Sequence, residues 1–84
     1  MKNLKISKYS IVEIEWMDHY YTSGWRPEPE KIPTYLCKSV GHFIMQDKYS
    51  VLISMSMQEA DKTTGDSLTI LRSCITKITV LKKA

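Results

Sequence analysis

The sequence predicts an all-β fold, a small five-stranded SH3-like barrel with a long loop after strand one. Short segments in which apolar and polar side chains alternate predict the strands. All three prolines lie in residues 17–33, which places one long connection there. Gly41 interrupts the second alternating segment, where a strongly bent strand needs a bulge or a close backbone approach. The 84 residues predict a single domain, 1–84, with the barrel at about 9–81 and short basic tails at both ends.

The first strand and the loop after it carry the most information. Residues 9–16 (YSIVEIEW) predict a half-buried strand, because Val12, Ile14 and Trp16 share one side. Residues 17–33 have no periodicity and contain one glycine and the prolines. A connection of roughly 17 residues is uncommon in a compact domain and is usually functional or disordered. Two tyrosines and a tryptophan argue against disorder, so we expect an ordered loop with a function.

The remaining strands are predicted over four segments, 34–45, 49–58, 67–72 and 75–81. A turn at 46–48 and a polar connection at 59–66 join them, and Ser73-Cys74 offers a short turn or one 3₁₀ turn. Closing such a sheet into a barrel protects its exposed edges. An open OB-like barrel is the alternative, but it usually carries a helix between its third and fourth strands. The connection at 59–66 is too short and too polar for that helix.

Charge and hydropathy exclude several classes of protein. The net charge is +3, yet the basic excess lies at the two ends, at Lys2, Lys5, Lys8, Lys82 and Lys83. Residues 9–81 carry seven basic and nine acidic side chains, which disfavours a nucleic-acid-binding protein because the body lacks a basic stripe. No segment approaches the ~20 apolar residues of a membrane helix, and the N-terminal lysines precede no apolar signal segment. We therefore expect no membrane association, a cytoplasmic location, and reduced, buried thiols at Cys37 and Cys74.

The dipeptide Asp18-His19 could form half of a catalytic triad or part of a metal site. A metal site needs three or four ligands, and Cys37, His42 and Cys74 supply no Cys-x-x-Cys, His-x-His or His-Glu-x-x-His spacing. A two-histidine phosphodiesterase would show His-x-Ser/Thr twice, and neither histidine is followed by that pattern. The three scattered glycines form no phosphate-binding loop. The sequence therefore predicts that the protein is not an enzyme and uses no metal or cofactor.

The long loop carries side chains suited to ligand binding. Trp25 and Arg26 pair a large stacking surface with a cation, and tyrosines at 20, 21 and 35 add further aromatic faces. Such a set could hold a base or a sugar by stacking, with Arg26 or Arg72 on a phosphate. An ion pair with Asp18 or Asp66 is an equally open interpretation of Arg72.

The two tryptophans have different predicted roles. Trp16 ends the apolar row of the first strand, so we interpret it as capping the barrel mouth. Trp25 either folds over the same core as a lid or serves at the surface. Its Ser, Gly and Pro neighbours favour the surface role.

Several short motifs resemble those of a group of short proteins encoded by phages and prophages. They are Trp16-x-Asp18, Trp25 in the loop, CKSVG at 37–41, Asp47-Lys48 in a turn, Gly65 in a hairpin, and ILRSCI at 70–75. The resemblance covers roughly residues 10–81, and it departs at Leu71, where relatives tend to have proline before the basic residue. Small phage β-barrel proteins of this size include inhibitors of bacterial immunity. Some sequester cyclic nucleotides or nucleotide-derived second messengers as oligomers, without cleaving them, and the resemblance implies such a role here.

Residues and resemblance together predict a non-enzymatic phage protein that sequesters a small nucleotide-type immune signalling molecule as a homo-oligomer in the host cytoplasm. Asp18 is expected to fix the loop, and the other predicted ligand-binding residues are Trp25, Arg26, Tyr20, Tyr35, Ser39 and Arg72. Two alternatives stay open. One is a protein-interaction adaptor that inhibits a host protein through the same aromatic loop. The other is a weak nucleic-acid-binding small barrel that uses the lysine-rich ends.

Overall fold

Five antiparallel strands in one sheet make up the fold, which a computed structural model describes for residues 3–84. The elements are β1 (Ile11–Asp18), β2 (Tyr35–Gln46), β3 (Ser50–Met57), β4 (Thr64–Leu71), a 3₁₀ turn (Arg72–Cys74) and β5 (Ile75–Lys82). Their order across the sheet is β4-β3-β2-β1-β5. The all-β prediction is confirmed, and so is the single 3₁₀ turn before the last strand.

Two strands begin two or three residues away from the predicted position for local reasons, and β1 also ends two residues later, at Asp18. β1 begins at Ile11 rather than at Tyr9, because Tyr9 has a left-handed backbone with φ of 74°. β4 begins at Thr64 rather than at Ser67, since Thr64 pairs with Met57 of β3. The first residues of β4 are all polar and exposed, so they lack the alternation that predicts a strand.

The sheet is open. β4 and β5 are the outermost strands, so closure into a barrel requires a ladder between them. Within residues 3–84 the ladders are β1 with β2, β1 with β5, β2 with β3, and β3 with β4. Barrel closure and an SH3-like geometry therefore stay predictions.

β2 changes its hydrogen-bonded neighbour part-way along its length. Its first part pairs with β1 as far as His42, and from His42 to Gln46 it pairs with β3. Gly41 lies just before this change, and a Cβ built on it would lie 2.7 Å from the carbonyl oxygen of Ser54. The close backbone approach predicted at Gly41 is confirmed, whereas the irregularity in the ladder falls between Phe43 and Met45.

The core lies on one face of the sheet. Its buried apolar side chains are Val12, Ile14, Phe43, Val51, Ile53 and Ile70. The segment before β1 belongs to this packing, because Leu4 and Ile6 lie against the core. The amide of Leu4 donates to Gln46 Oε1 at 2.9 Å, and Gln46 Nε2 donates back to the Leu4 carbonyl at 2.8 Å. This pair of bonds joins the N-terminal segment to the end of β2.

Candidate functional site

The connection between β1 and β2, residues 19–34, forms a projecting segment that we call the arm. Every residue from 18 to 36 is exposed, so the arm contributes nothing to the core. The molecule measures 54 × 26 × 21 Å, and its radius of gyration is 15.6 Å. A compact chain of this length has a radius of gyration of about 12 Å. The protein is therefore elongated, and the predicted long loop is present but does not pack on the sheet.

Local chemistry explains where the arm begins and ends. The β1–β2 ladder stops at the Asp18–Tyr35 pair. Asp18 Oδ1 accepts a hydrogen bond of 2.7 Å from the amide of His19, which turns the chain at the end of β1. The prolines lack the amide hydrogens that a continued ladder needs. Gly24 adopts φ of 81°, a left-handed conformation that suits glycine.

An aromatic pair lies at the base of the arm. The rings of Tyr20 and Tyr35 have centroids 5.2 Å apart and planes tilted by 45°. Both side chains remain about half exposed. Their geometry is that of a favourable aromatic contact, and it leaves ring surface available for stacking.

A cleft of about 750 Å³ runs along the arm, with Tyr20, Tyr21 and Arg26 among its walls. Its volume is in the range of small-molecule sites, roughly 300–1,000 Å³. Arg26 Nε donates to the carbonyl of Ser23 at 3.1 Å, which orients the guanidinium while the side chain stays exposed. All the wall residues are exposed, so the cleft is open to solvent.

The two tryptophans lie in opposite environments. Trp16 is half-buried against the core, and its Nε1 donates to Ser39 Oγ at 3.0 Å. The predicted packing of Trp16 on the core is confirmed. Trp25 is fully exposed at 102%, so it does not close over the sheet as a lid. Trp25 is also not a wall residue of the cleft.

Two predicted ligand-binding residues lie away from the arm cleft. Ser39 accepts the Trp16 hydrogen bond inside β2. Arg72 is only 2% exposed and lies in the 3₁₀ turn. Arg72 Nη1 donates to Gln46 Oε1 at 3.3 Å and to the Asp47 carbonyl at 3.1 Å. The structure therefore places Tyr20 and Arg26 on the wall of the arm cleft and Tyr35 against Tyr20. Asp18 lies at the end of β1, where the arm begins, and Arg72 lies in the interior.

A second cleft of about 250 Å³ lies beside the arm base. Trp16, Asp18 and His19 form one side, and the other side comes from the end of β4 and from Cys74. Sequence reasoning missed the β4 side, because residues 69–71 are about fifty positions from Asp18 and carry no motif of their own. Cys74 and Cys37 are both free and half-buried, so each thiol is more accessible than a core residue.

Outside the arm, two carboxyl groups of the β3–β4 hairpin have lowered pKa values. Within residues 3–84, no group of three or more His, Cys, Asp or Glu side chains is placed to hold a metal ion. The hydrogen bond and charge of Lys62 hold the pKa of Glu59 below its ordinary value. Hydrogen bonds from the amide and hydroxyl of Thr63 lower the pKa of Asp61. Both carboxylates belong to the β3–β4 hairpin and are fully exposed, so they shape that turn and not the arm.

Comparison of the chain with known protein families, with curated proteins and with solved structures found no match. Among residues 3–84, no helix is long and apolar enough to cross a membrane. The geometry of the arm is therefore the observation on which a function is proposed.

Proposed function

We propose that the protein is a non-enzymatic binding protein whose arm captures a small nucleotide-type ligand. The observation that carries this proposal is that Tyr20, whose ring packs against Tyr35, lies on the wall of one cleft with Arg26. Aromatic faces stack on a base, and a guanidinium binds a phosphate through charge-assisted hydrogen bonds. A nucleotide offers both groups within one small molecule.

A second copy of the chain completes this site in our proposal. Small-molecule sites usually bury about 70–90% of the surface of their ligand. A cleft whose walls are all exposed needs another wall, and a second arm supplies the same aromatic and cationic groups. We also propose that the sheet curls towards an SH3-like barrel, because β2 changes its paired strand at His42, next to Gly41. With the phage resemblance, the ligand would be an immune signalling nucleotide that is held and not cleaved in the host cytoplasm.

Calorimetry with cyclic dinucleotides, cyclic trinucleotides and ADP-ribose derivatives tests the proposal. The wild-type protein should bind at least one of them at concentrations of tens of micromolar. Replacing Tyr20 and Tyr35 together with alanine should weaken that binding by about tenfold or more, because stacking on one aromatic contributes about 1–3 kcal/mol. The mass in solution should correspond to an oligomer, with or without ligand.

Tyr49→Ala is the matched control, since Tyr49 is an exposed tyrosine outside the arm. The affinity of Tyr49→Ala for the nucleotide should equal that of the wild type. Absence of heat with every nucleotide, from protein whose circular dichroism shows a folded sheet, would rule the proposal out.

The second candidate function is protein binding through the arm, and the exposure of Trp25 favours it. Tyr21 and Ile32 are also exposed, at 87% and 86%. Exposed aromatic anchors dominate many protein–protein interfaces. Trp25→Ala should leave stability within about 0.5 kcal/mol of wild type, because its side chain contacts no core residue. If the arm binds a protein, Trp25→Ala should no longer capture a partner protein that the wild-type protein captures. Neither protein should then release heat when it is titrated with a nucleotide.

A further inference from the structure

The fold brings the two lysine-rich ends of the chain to one place. A cleft of about 360 Å³ lies where the residues before β1, the end of β5 and the β3–β4 hairpin meet. Its walls include Tyr9, His42, Lys62, Lys82 and Lys83. In the sequence these lysines belong to separate segments, and Lys2 lies outside the described residues. We call this site the terminal cleft.

The terminal cleft concentrates positive charge around one aromatic ring. The ammonium groups of Lys8 and Lys62 lie 5.2 and 5.4 Å from the centroid of Tyr9. Both distances are within the range of a cation–π contact, about 6 Å. Lys82 and Lys83 add two further ammonium groups, and Glu59, bonded to Lys62 at 2.7 Å, is the carboxylate side chain on the wall. Three lysines on the wall, with Lys8 beside Tyr9, thus outnumber the Glu59 carboxylate that pairs with Lys62, and Ala84 also lines the cleft.

The backbone that forms the terminal cleft is held in an unusual conformation. Tyr9 and Lys62 have φ of 74° and 62°, and with Asp66 they are the non-glycine residues of positive φ among residues 3–84. Such conformations often occur at functional sites. Here hydrogen bonds hold them, from Tyr9 N to the Phe43 carbonyl at 2.7 Å and from Lys62 N to the Gln58 carbonyl at 2.8 Å. The backbone positions of these two wall residues are therefore fixed.

We propose that the terminal cleft binds a compact phosphate anion of multiple charge, such as a di- or triphosphate group. Lysine binds phosphate as a point charge, and an anion relieves the mutual repulsion of several ammonium groups held together. The wall lysines converge on one cleft from the β3–β4 hairpin and the end of β5, and Lys8 approaches Tyr9 from a third segment. This arrangement is not a stripe, which favours a compact anion over the extended backbone of a nucleic acid. His42 Nδ1 lies 3.0 Å from the Tyr9 carbonyl, and this contact fixes the imidazole on the cleft wall.

The terminal cleft is separate from the site in the proposed function. Tyr9 precedes the start of β1 and the arm follows its end. Eight residues of extended strand place them roughly 25 Å apart. The inference therefore stands whether or not the arm binds a nucleotide.

Titration with sodium tripolyphosphate at low ionic strength, followed by calorimetry and by thermal unfolding, tests this inference. The wild-type chain should bind the anion and unfold at a higher temperature in its presence. The double variant Lys62→Gln/Lys82→Gln should bind it about tenfold more weakly, since two cations near the anion are lost. Lys38→Gln/Lys77→Gln is the matched control, because both lysines are exposed and lie opposite Glu15, on β2 and β5, outside the terminal cleft. It removes the same charge and should keep wild-type affinity.

Two further variants keep the experiment decisive. Lys83→Gln follows the last strand, so it tests the cleft without altering a strand if the double variant folds poorly. It should weaken tripolyphosphate binding about threefold. Tyr20→Ala/Tyr35→Ala should bind tripolyphosphate as the wild type does, which separates this site from the arm.

Three results would overturn the inference. The first is no tripolyphosphate binding by the wild-type chain. The second is an equal loss of tripolyphosphate affinity in the Lys62/Lys82 and Lys38/Lys77 variants, which would indicate that only the net charge of the protein attracts the anion. The third is tighter binding of a single-stranded oligonucleotide than of tripolyphosphate, with the same dependence on Lys62 and Lys82, which assigns the cleft to nucleic acid.

Discussion

Replacing Gly41 with alanine should lower the free energy of unfolding by about 1–2 kcal/mol. The added Cβ would lie 2.7 Å from the Ser54 carbonyl oxygen, a separation shorter than van der Waals contact. One of the two strands must move to relieve this contact. Overpacking of this kind typically costs 1–3 kcal/mol, and the stiffer unfolded chain offsets about 0.4–1 kcal/mol of it. Thermal unfolding followed by circular dichroism should show a midpoint lower by about 5–15 °C.

Ser54 cannot move freely to make room. It is fully buried, and its hydroxyl lies 2.8 Å from the carbonyl oxygens of both Ser56 and Gly65. Its backbone pairs with His42 on one side and Ser67 on the other. A shift of Ser54 therefore disturbs two ladders, which is why we expect a loss of stability instead of a local adjustment.

Gly65→Ala provides the matched control for Gly41→Ala. A Cβ at Gly65 would lie 3.9 Å from the Cβ of Ser56, which is ordinary contact. The free energy of unfolding of this variant should lie within about 0.5 kcal/mol of the wild-type value or slightly above it, because the alanine stiffens the unfolded chain without a clash. Equal midpoints for the two alanine variants would contradict the close approach at Gly41.

Alternation predicted the strands well because burial alternates along them. In β1, Val12 and Ile14 are fully buried while their neighbours are half-exposed, and in β3 Val51 and Ile53 are buried on either side of the half-exposed Leu52. The arm was predictable for the opposite reason, since prolines remove the donors that a ladder needs. These features are local, so a single segment contains the information that specifies them.

The features that sequence did not predict depend on contacts between distant segments. Sequence alone predicts that a charged residue in a turn is exposed. Arg72 is buried because Gln46 and Asp47, which are distant in the sequence, approach its side chain. The lysines at the two ends resemble solubilising tails until the fold brings them to Tyr9. The neighbours of Trp25 favoured a surface role without excluding a lid, and the structure places its side chain in solvent.

Replacing Arg72 with methionine should destabilise the fold by about 2–4 kcal/mol. Methionine retains much of the apolar stem but removes the charge-assisted bonds to Gln46 Oε1 and to the Asp47 carbonyl. A buried acceptor that loses its donor costs about 1–3 kcal/mol. The midpoint of thermal unfolding should therefore fall by more than about 10 °C. Arg72→Lys should recover only part of this loss, because one ammonium cannot reproduce the planar guanidinium.

Arg26→Met is the matched control, and together the two variants separate a structural arginine from a ligand-binding one. Arg26 is exposed and bonds only locally, to the Ser23 carbonyl, so its loss should change stability by less than about 0.5 kcal/mol. Arg26→Met should instead weaken nucleotide binding by the arm. If Arg72→Met kept the wild-type midpoint of thermal unfolding and lost nucleotide binding, Arg72 would be a ligand-binding residue, as the sequence predicted.

The effect of Arg72 should extend to the N-terminal segment through Gln46. Gln46 Oε1 accepts from both Arg72 and the Leu4 amide, and its Nε2 donates to the Leu4 carbonyl. Loss of Arg72 frees the Gln46 side chain to rotate, which weakens the bonds that hold Leu4. Hydrogen exchange should therefore show faster exchange at the Leu4 amide in Arg72→Met than in Arg26→Met. Unchanged exchange at Leu4 would limit the role of Arg72 to its own turn.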